Sequence, residues 1–200
     1  MGIHHIVSNG GAALTINDEL IENRPLDHQL AVQLCYEADR LGYGILISPR
    51  DSIDVVMKDE RFIEQIGYRQ EPTRYILNRS MKFEDIENIY KIYIAISPKE
   101  EDRLTLKIVR HIRFMPGCLT YQHDEKDQGI LKMIERVNGK KEDVVVFGDD
   151  FNDLVMFKKE WTNIAMGNAC EPLKAQATFV TKASVDDGIE YACRHFGWIL

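Results

Sequence analysis

Val144-Val145-Val146-Phe147-Gly148-Asp149-Asp150-Phe151-Asn152-Asp153 is the stretch on which the reading of this chain turns. Its run of β-favouring apolar residues predicts a strand covered on both faces, as in a parallel sheet. Gly148 is expected to let the backbone turn tightly, so that the carboxylates emerge at the carboxyl end of the strand. In open α/β sheets that end is where ligands bind. A cluster of acids there is a candidate Mg²⁺ site, because Mg²⁺ takes oxygen ligands and keeps several waters. Taken alone, Asp149, Asp150 and Asp153 would also suit a helix N-terminus, whose dipole stabilises a carboxylate by about 0.3–1 kcal/mol.

Working outward, strand and helix alternate from Lys126 to the end of the chain. A helix near 129–137 precedes the strand at Val144, and another follows over 152–159. Residues 163–166 read as a short strand ending at Gly167. A helix near 171–177, a strand over 178–180 and a last helix near 187–196 complete the series. Such alternation argues for a parallel sheet.

Toward the start, 3–7 reads as a strand that ends in the glycine-rich turn Ser8-Asn9-Gly10-Gly11. Segments 12–16 and 19–21 flank Asn17-Asp18, a two-residue hairpin signal. Asp27 is placed as an N-cap, followed by an apolar stripe of Leu30, Leu34, Ala38 and Leu41 and closed by Gly42. A strand over 43–48 stops at Pro49. Farther on, 89–96 alternates, with Tyr90, Ile92, Ile94 and Ile96 on one face and Tyr93 on the other. Pro98-Lys99-Glu100-Glu101 suits a helix start, with Leu104 and Ile108 as its buried face. Leu104, Leu106 and Ile108 also alternate like a strand, and helix is the preferred reading. Segment 111–121 is expected to return as one or two strands. The two ends would then share one core, and the middle would be an inserted α+β module.

With 44% hydrophobic and 28% charged residues, the chain has the composition of a soluble globular protein. A net charge of -7 argues against a nucleic-acid binder, which needs a basic surface. The apolar runs are too short to span a bilayer. Met1-Gly2-Ile3-His4-His5 carries neither the basic nor the apolar region of a signal peptide. Cys35, Cys118, Cys170 and Cys193 are scattered without a CxxC pair, which fits reduced thiols in a cytoplasmic protein. His4, His5, His111 and His123 form no HxxxH or HExxH pattern, so zinc is not expected. Cys118 has no base beside it in sequence and reads as an idle thiol.

Gly148-Asp149-Asp150-Phe151-Asn152-Asp153-Leu154-Val155-Met156 resembles the GDxxNDxxM motif of the haloacid dehalogenase superfamily, in its Cof-like subfamily IIB branch. The likeness continues through 163–169, Glu171-Pro172-Leu173-Lys174, 179–182 and Asp186-Asp187-Gly188-Ile189. Lys126, followed by Gly129-Ile130, falls where the family has its lysine motif, and Ser8-Asn9-Gly10-Gly11 resembles its SNGA turn. The resemblance implies an α/β fold: a Rossmannoid parallel-sheet core over 1–24 and 116–200, with an inserted α+β cap of the C2B type over 25–115. It implies Mg²⁺-dependent phosphoryl transfer, in which one aspartate attacks phosphorus and a second, two residues later, is general acid and base. Small phosphorylated metabolites such as sugar phosphates would be the substrates. Asp149 and Asp153 would be the metal residues, Asp149 as a ligand and Asp153 supporting it from behind. Lys126 would be catalytic, neutralising the nucleophile's charge and contacting phosphate together with Asn152. Asn9 and Gly10 would line the entrance near the cap.

The family's DxDGT motif and its phosphate-holding Ser or Thr are missing from the residues before Asn9, and no Asp-x-Asp occurs among the 200 residues. The expectation is therefore an N-terminally truncated core, inactive as this chain, and either poorly stable or homo-oligomeric, with another copy covering the incomplete sheet. The alternative is a non-catalytic binding or interaction module derived from such a phosphatase. No nucleic-acid or membrane partner is expected.

Overall fold

Apolar side chains gather into separate cores, and the chain divides accordingly. The computed structural model describes residues 4–106 and 111–200. One compact unit comprises Met1–Glu19 with Glu125–Leu200, and the other comprises Leu20–Asp124. The strands are β1 (Ile6–Ser8), β2 (Ala13–Ile16), β3 (Glu19–Asn23), β4 (Ile45–Ser48), β5 (Asp54–Met57), β6 (Arg74–Leu77), β7 (Lys91–Ala95), β8 (His111–Met115), β9 (Cys118–Tyr121), β10 (Val145–Gly148), β11 (Thr162–Ala165) and β12 (Phe179–Val180). The α-helices are α1 (His28–Arg40), α2 (Arg61–Ile66), α3 (Lys126–Arg136), α4 (Glu171–Lys174) and α5 (Gly188–His195).

The first unit holds the parallel sheet foreseen from the sequence, in the order β10-β11-β12. Val145 pairs with Thr162, Gly148 with Ala165, and Ile164 with Phe179. Val146, Phe157, Trp161, Ala165, Met166 and Leu173 form its core, against which Ile130 and Leu131 of α3 pack. Val146 is buried, but Val145 and Phe147 on the opposite face are only half-buried. The strand is thus fully covered on one face rather than both. Among the described residues β10 pairs only with β11. Strands β1 and β2 pair antiparallel, Ile6 opposite Thr15 and Ser8 opposite Ala13. Asn17 and Asp18 both take positive φ (50° and 66°), as the expected two-residue turn requires.

The second unit is a six-stranded sheet in the order β6-β5-β4-β7-β9-β8. Helix α1 starts where Asp27 accepts a 2.9 Å hydrogen bond from the Leu30 amide. Its buried face is Ala31, Leu34, Cys35 and Ala38, whereas Leu30 is 39% exposed. The predicted stripe is therefore displaced, because the core-facing arc is centred between Leu34 and Cys35. That face packs on Ile45, Ile47, Ile92, Ile94, Leu119 and Tyr121. Burying one such leucine contributes roughly 1.5–3 kcal/mol. Phe62, Ile63 and Ile66 of α2 cover part of the other face, on Leu46, Val55, Tyr93 and Cys118.

Other boundaries also move. The units divide after Glu19 and before Glu125, not at 24/25 and 115/116, because β9 hydrogen-bonds between β7 and β8 in the second unit's sheet. The Pro98 segment is a 3₁₀ helix over Pro98–Arg103, after which Leu104 is extended and buried. Ile108 and Ile3 lie outside the described residues. The acidic turn continues as a short 3₁₀ helix, Phe151–Met156, rather than a helix over 152–159. Helix α3 begins earlier than predicted, at Lys126 itself. Among the described residues no helix is long and apolar enough to cross a membrane.

Candidate active site at the carboxyl end of strand β10

Gly148 ends β10, and its role differs from the one expected of it. It does not adopt a positive φ. A Cβ there would lie 2.8 Å from the Asp153 Cβ, 3.0 Å from Phe157 and 3.1 Å from Leu173. The glycine is needed because the turn folds back onto it, not because of its own dihedral freedom.

The turn closes around Asp153. One carboxylate oxygen accepts from the backbone amides of Asp149 (3.0 Å) and Asp150 (3.3 Å), and the other accepts from Lys126 Nζ at 2.5 Å. Asp150 caps the 3₁₀ helix reciprocally with Asp153, a capping box. Asp153 is buried, while Asp149 and Asp150 are exposed. Three sequence candidates are therefore brought together: Lys126 opens α3, Asp153 receives it, and Asp149 projects from the same turn. Asn152 is half-buried, and its side-chain amide makes no hydrogen bond among the described residues.

The Asn9–Gly11 turn joins this assembly through the backbone. Asn9 and Gly10 have φ of 53° and 64°. The Glu125 amide donates to the Gly10 carbonyl at 2.7 Å, immediately before Lys126. Helix α3 comes so close that a Cβ on Gly129 would lie 2.7 Å from the Gly11 Cα. Asn9 and Gly10 thus sit beside the residue that carries the site's ammonium group.

Two neighbours were not singled out from sequence. Asp127 holds Lys158 at 2.8 Å, a second ion pair tying the start of α3 to the end of the acidic turn. Burial alone would raise the Asp127 pKa, but the Lys158 ammonium outweighs it and holds the carboxyl below its usual value. Asn168 donates to Asp149 Oδ2 at 3.4 Å and accepts from the Ser184 amide at 3.0 Å, and so orients the exposed carboxylate. The Gly167-Asn168 step just past β11 was the available signal, since the carboxyl ends of neighbouring parallel strands share one rim.

Comparison with known proteins identifies the family. Residues 1–192 match the family model for haloacid dehalogenase-like hydrolases. The Bacillus subtilis (strain 168) protein named "Putative phosphatase YkrA" is 30% identical over 202 residues, covering 98% of this chain and 77% of that protein. The 5-amino-6-(5-phospho-D-ribitylamino)uracil phosphatase YcsE of the same organism is 35% identical over 75 residues, or 38% of this chain and 29% of that protein. The structure of the haloacid dehalogenase subclass IIB sugar phosphatase BT4131 superposes with a TM-score of 0.76 at 24% identity, covering 98% of this chain and 77% of that one. The chain belongs to the haloacid dehalogenase-like hydrolases.

That family implies Mg²⁺, and the donors present match it in kind but not in number. Asp149 offers an exposed hard-oxygen ligand, whereas both Asp153 oxygens are already hydrogen-bonded. No group of three or more His, Cys, Asp or Glu residues is arranged to hold a metal among the described residues. One carboxylate gains little over the ion's hydration shell. These residues do not form a metal site by themselves.

Proposed function

We propose that the first unit is the phosphate- and metal-facing half of a phosphatase site for small phosphorylated metabolites such as sugar phosphates. The observation that carries this reading is the linkage of Lys126, Asp153 and Asp149 at the carboxyl end of β10. Lys126 supplies the cation for a phosphoryl group, and Asn152 supplies an amide free to donate to it. Asp149 supplies one Mg²⁺ ligand. The names of YcsE and BT4131 support phosphate esters of polyhydroxylated metabolites as the substrate class.

Phosphoryl transfer of this kind needs a nucleophile in line with phosphorus and charge neutralisation around it. The 200 residues contain no Asp-x-Asp pair to supply the nucleophile and the acid, so they are not expected to turn over alone. The edge of β10 that is unpaired among the described residues is a surface on which a further parallel strand, or a second copy, would pair.

The test is Mg²⁺-dependent hydrolysis of p-nitrophenyl phosphate by the purified chain, beside Asp149→Asn and a version carrying an added upstream Asp-x-Asp-Gly-Thr segment. The expected result is activity only in the extended version, abolished there by Asp149→Asn. Turnover by the 200-residue chain that disappears in Asp149→Asn would overturn the inactivity. Silence in every version would favour a non-catalytic binding module.

A further inference from the structure

The second unit carries a polar pocket on the sheet face opposite the α1 core. Strand alternation sends Lys91 and Tyr93 of β7 to that face, together with Cys118 and Thr120 of β9. Tyr93 and Thr120 are directly paired. The cavity has a volume of about 260 Å³ and is lined by Arg69, Glu71, Lys91, Tyr93, Thr120 and Gln122, with Cys118 and Met115 as its apolar wall. The Arg69 guanidinium lies 4.2 Å from the centre of the Tyr93 ring. Its side chain is 16% exposed and pairs with the Glu71 carboxylate at 3.3 Å, whose own side chain is 57% exposed. The Lys91 ammonium group has no ion-pair or hydrogen-bond partner among the described residues.

We propose that this pocket binds a small hydroxylated carboxylate, of the sugar-acid class. Stacking on Tyr93 fixes the guanidinium, so its planar fork meets a carboxylate with little further ordering. Glu71 shows which group fits there: a carboxylate already lies on Arg69, held from an exposed position that an incoming acid can displace. Lys91 adds a second positive charge, and the Thr120 hydroxyl and Gln122 amide are suited to a ligand's hydroxyls. The volume lies below the range typical of drug-sized ligands, which restricts the occupant to about the size of a six-carbon acid. The inference uses only side chains of the second unit and stands independently of the phosphatase reading.

The experiment is an NMR titration of the ¹⁵N-labelled chain at constant ionic strength with D-gluconate. D-Glucitol serves as the uncharged counterpart, and inorganic phosphate as the alternative anion. Gluconate is expected to cause saturable shifts at the amides of Lys91, Tyr93 and Thr120, while glucitol causes none and phosphate binds more weakly. Arg69→Gln and Lys91→Gln should each weaken gluconate about tenfold, the size of one lost charge-assisted contact. Glu71→Gln removes an exposed competitor without disturbing the core, and should tighten binding several-fold. The proposal is overturned by absent or non-saturable shifts, by glucitol or phosphate acting as well as gluconate, or by an affinity that Glu71→Gln leaves unchanged or weakens.

Discussion

Replacing Asp153 tests whether this residue organises the acidic turn. Its carboxylate receives two backbone amides and one ammonium, with a side-chain exposure of 11%. Hydrogen bonds to a charged group contribute about 1.5–3 kcal/mol each in net terms. They do not add fully here, because the Asp149 and Asp150 amides belong to exposed residues that water can reach. Lys126, at 28% exposure, can also rehydrate. Asp153→Ala should therefore cost about 2–4 kcal/mol. Asp153→Asn keeps an acceptor for the amides but turns an NH₂ group toward Lys126, and should cost about 1.5–3 kcal/mol. In a unit of this size each kcal/mol lowers the Tm by about 4–8 °C, so even the low estimate for Asp153→Ala gives a fall of about 8–16 °C.

The assay is simplified by the sequence. The chain has two tryptophans, Trp161 and Trp198, and both lie in the first unit. Tryptophan fluorescence therefore follows unfolding of the site-bearing unit, while far-ultraviolet dichroism follows both. Asp153→Ala should lower the fluorescence-detected midpoint and leave a dichroism component from the second unit in place. Lys126→Met, with a double-mutant cycle, separates the ion pair from the two amide bonds. A fluorescence midpoint unchanged in Asp153→Ala would refute the reasoning, since the turn would then stand without the group assigned to hold it.

Other expectations follow from the same contacts. Gly129→Val should destabilise the first unit by more than about 2 kcal/mol, because even a Cβ would lie 2.7 Å from Gly11 and 2.5 Å from Val7 Cγ1; the same fluorescence midpoint reads it. Burial would raise the pKa of Glu37, but hydrogen bonds from Thr105 and Leu106 outweigh it and hold the carboxyl below its ordinary 4.5. A carboxyl depressed on folding stabilises above its unfolded value and loses that contribution as pH falls through the folded one. The dichroism midpoint should therefore drop below about pH 4.5 in the parent and more shallowly in Glu37→Gln. Phe147→Lys, on the half-covered face of β10, should reduce any concentration-dependent association seen by sedimentation.

The first unit was legible because its signals are local. An apolar run, a glycine and an acid cluster specify strand, turn and capping box within ten residues, and the parallel sheet follows from repetition of that unit. The hairpin turn at Asn17-Asp18 and the cap at Asp27 were likewise set by short-range chemistry. β5, α2 and β6 were not legible, because each is only four to six residues long. Their stability comes from tertiary burial, such as Phe62 on Leu46 and Tyr93, rather than from periodicity. The domain boundary was misplaced for a related reason. Whether β9 belongs to one core or the other is decided by its non-local pairing with β7, which no local pattern encodes. At the site, register alone singles out Lys126, but its ion pair with Asp153 and the parallel pair of Asp127 and Lys158 depend on how α3 lies across the turn.

That geometry also constrains what the half-site can attract. A lysine beside an acidic turn invites the idea of a ready-made phosphate site, yet Lys126 already holds the Asp153 carboxylate at 2.5 Å. Asp149 and Asp150 add two exposed carboxylates from the same turn. Around one ammonium there are thus three acids, and a phosphate dianion approaching from solvent meets net repulsion. Screening at physiological salt acts over about 8 Å and does not remove repulsion at contact distances. The local field favours a cation first, and an anion only once that cation is present. Phosphate binding to this unit, followed by NMR at the Asn152 and Lys126 amides, should therefore be undetectable in a chelator and appear only at divalent-cation concentrations high enough to offset the weak hold of a single carboxylate. Asp149→Asn, by removing one of the repelling charges, should weaken that dependence. Equal phosphate binding with and without the cation would show that Lys126 is released from Asp153 more readily than its short, half-buried contact implies.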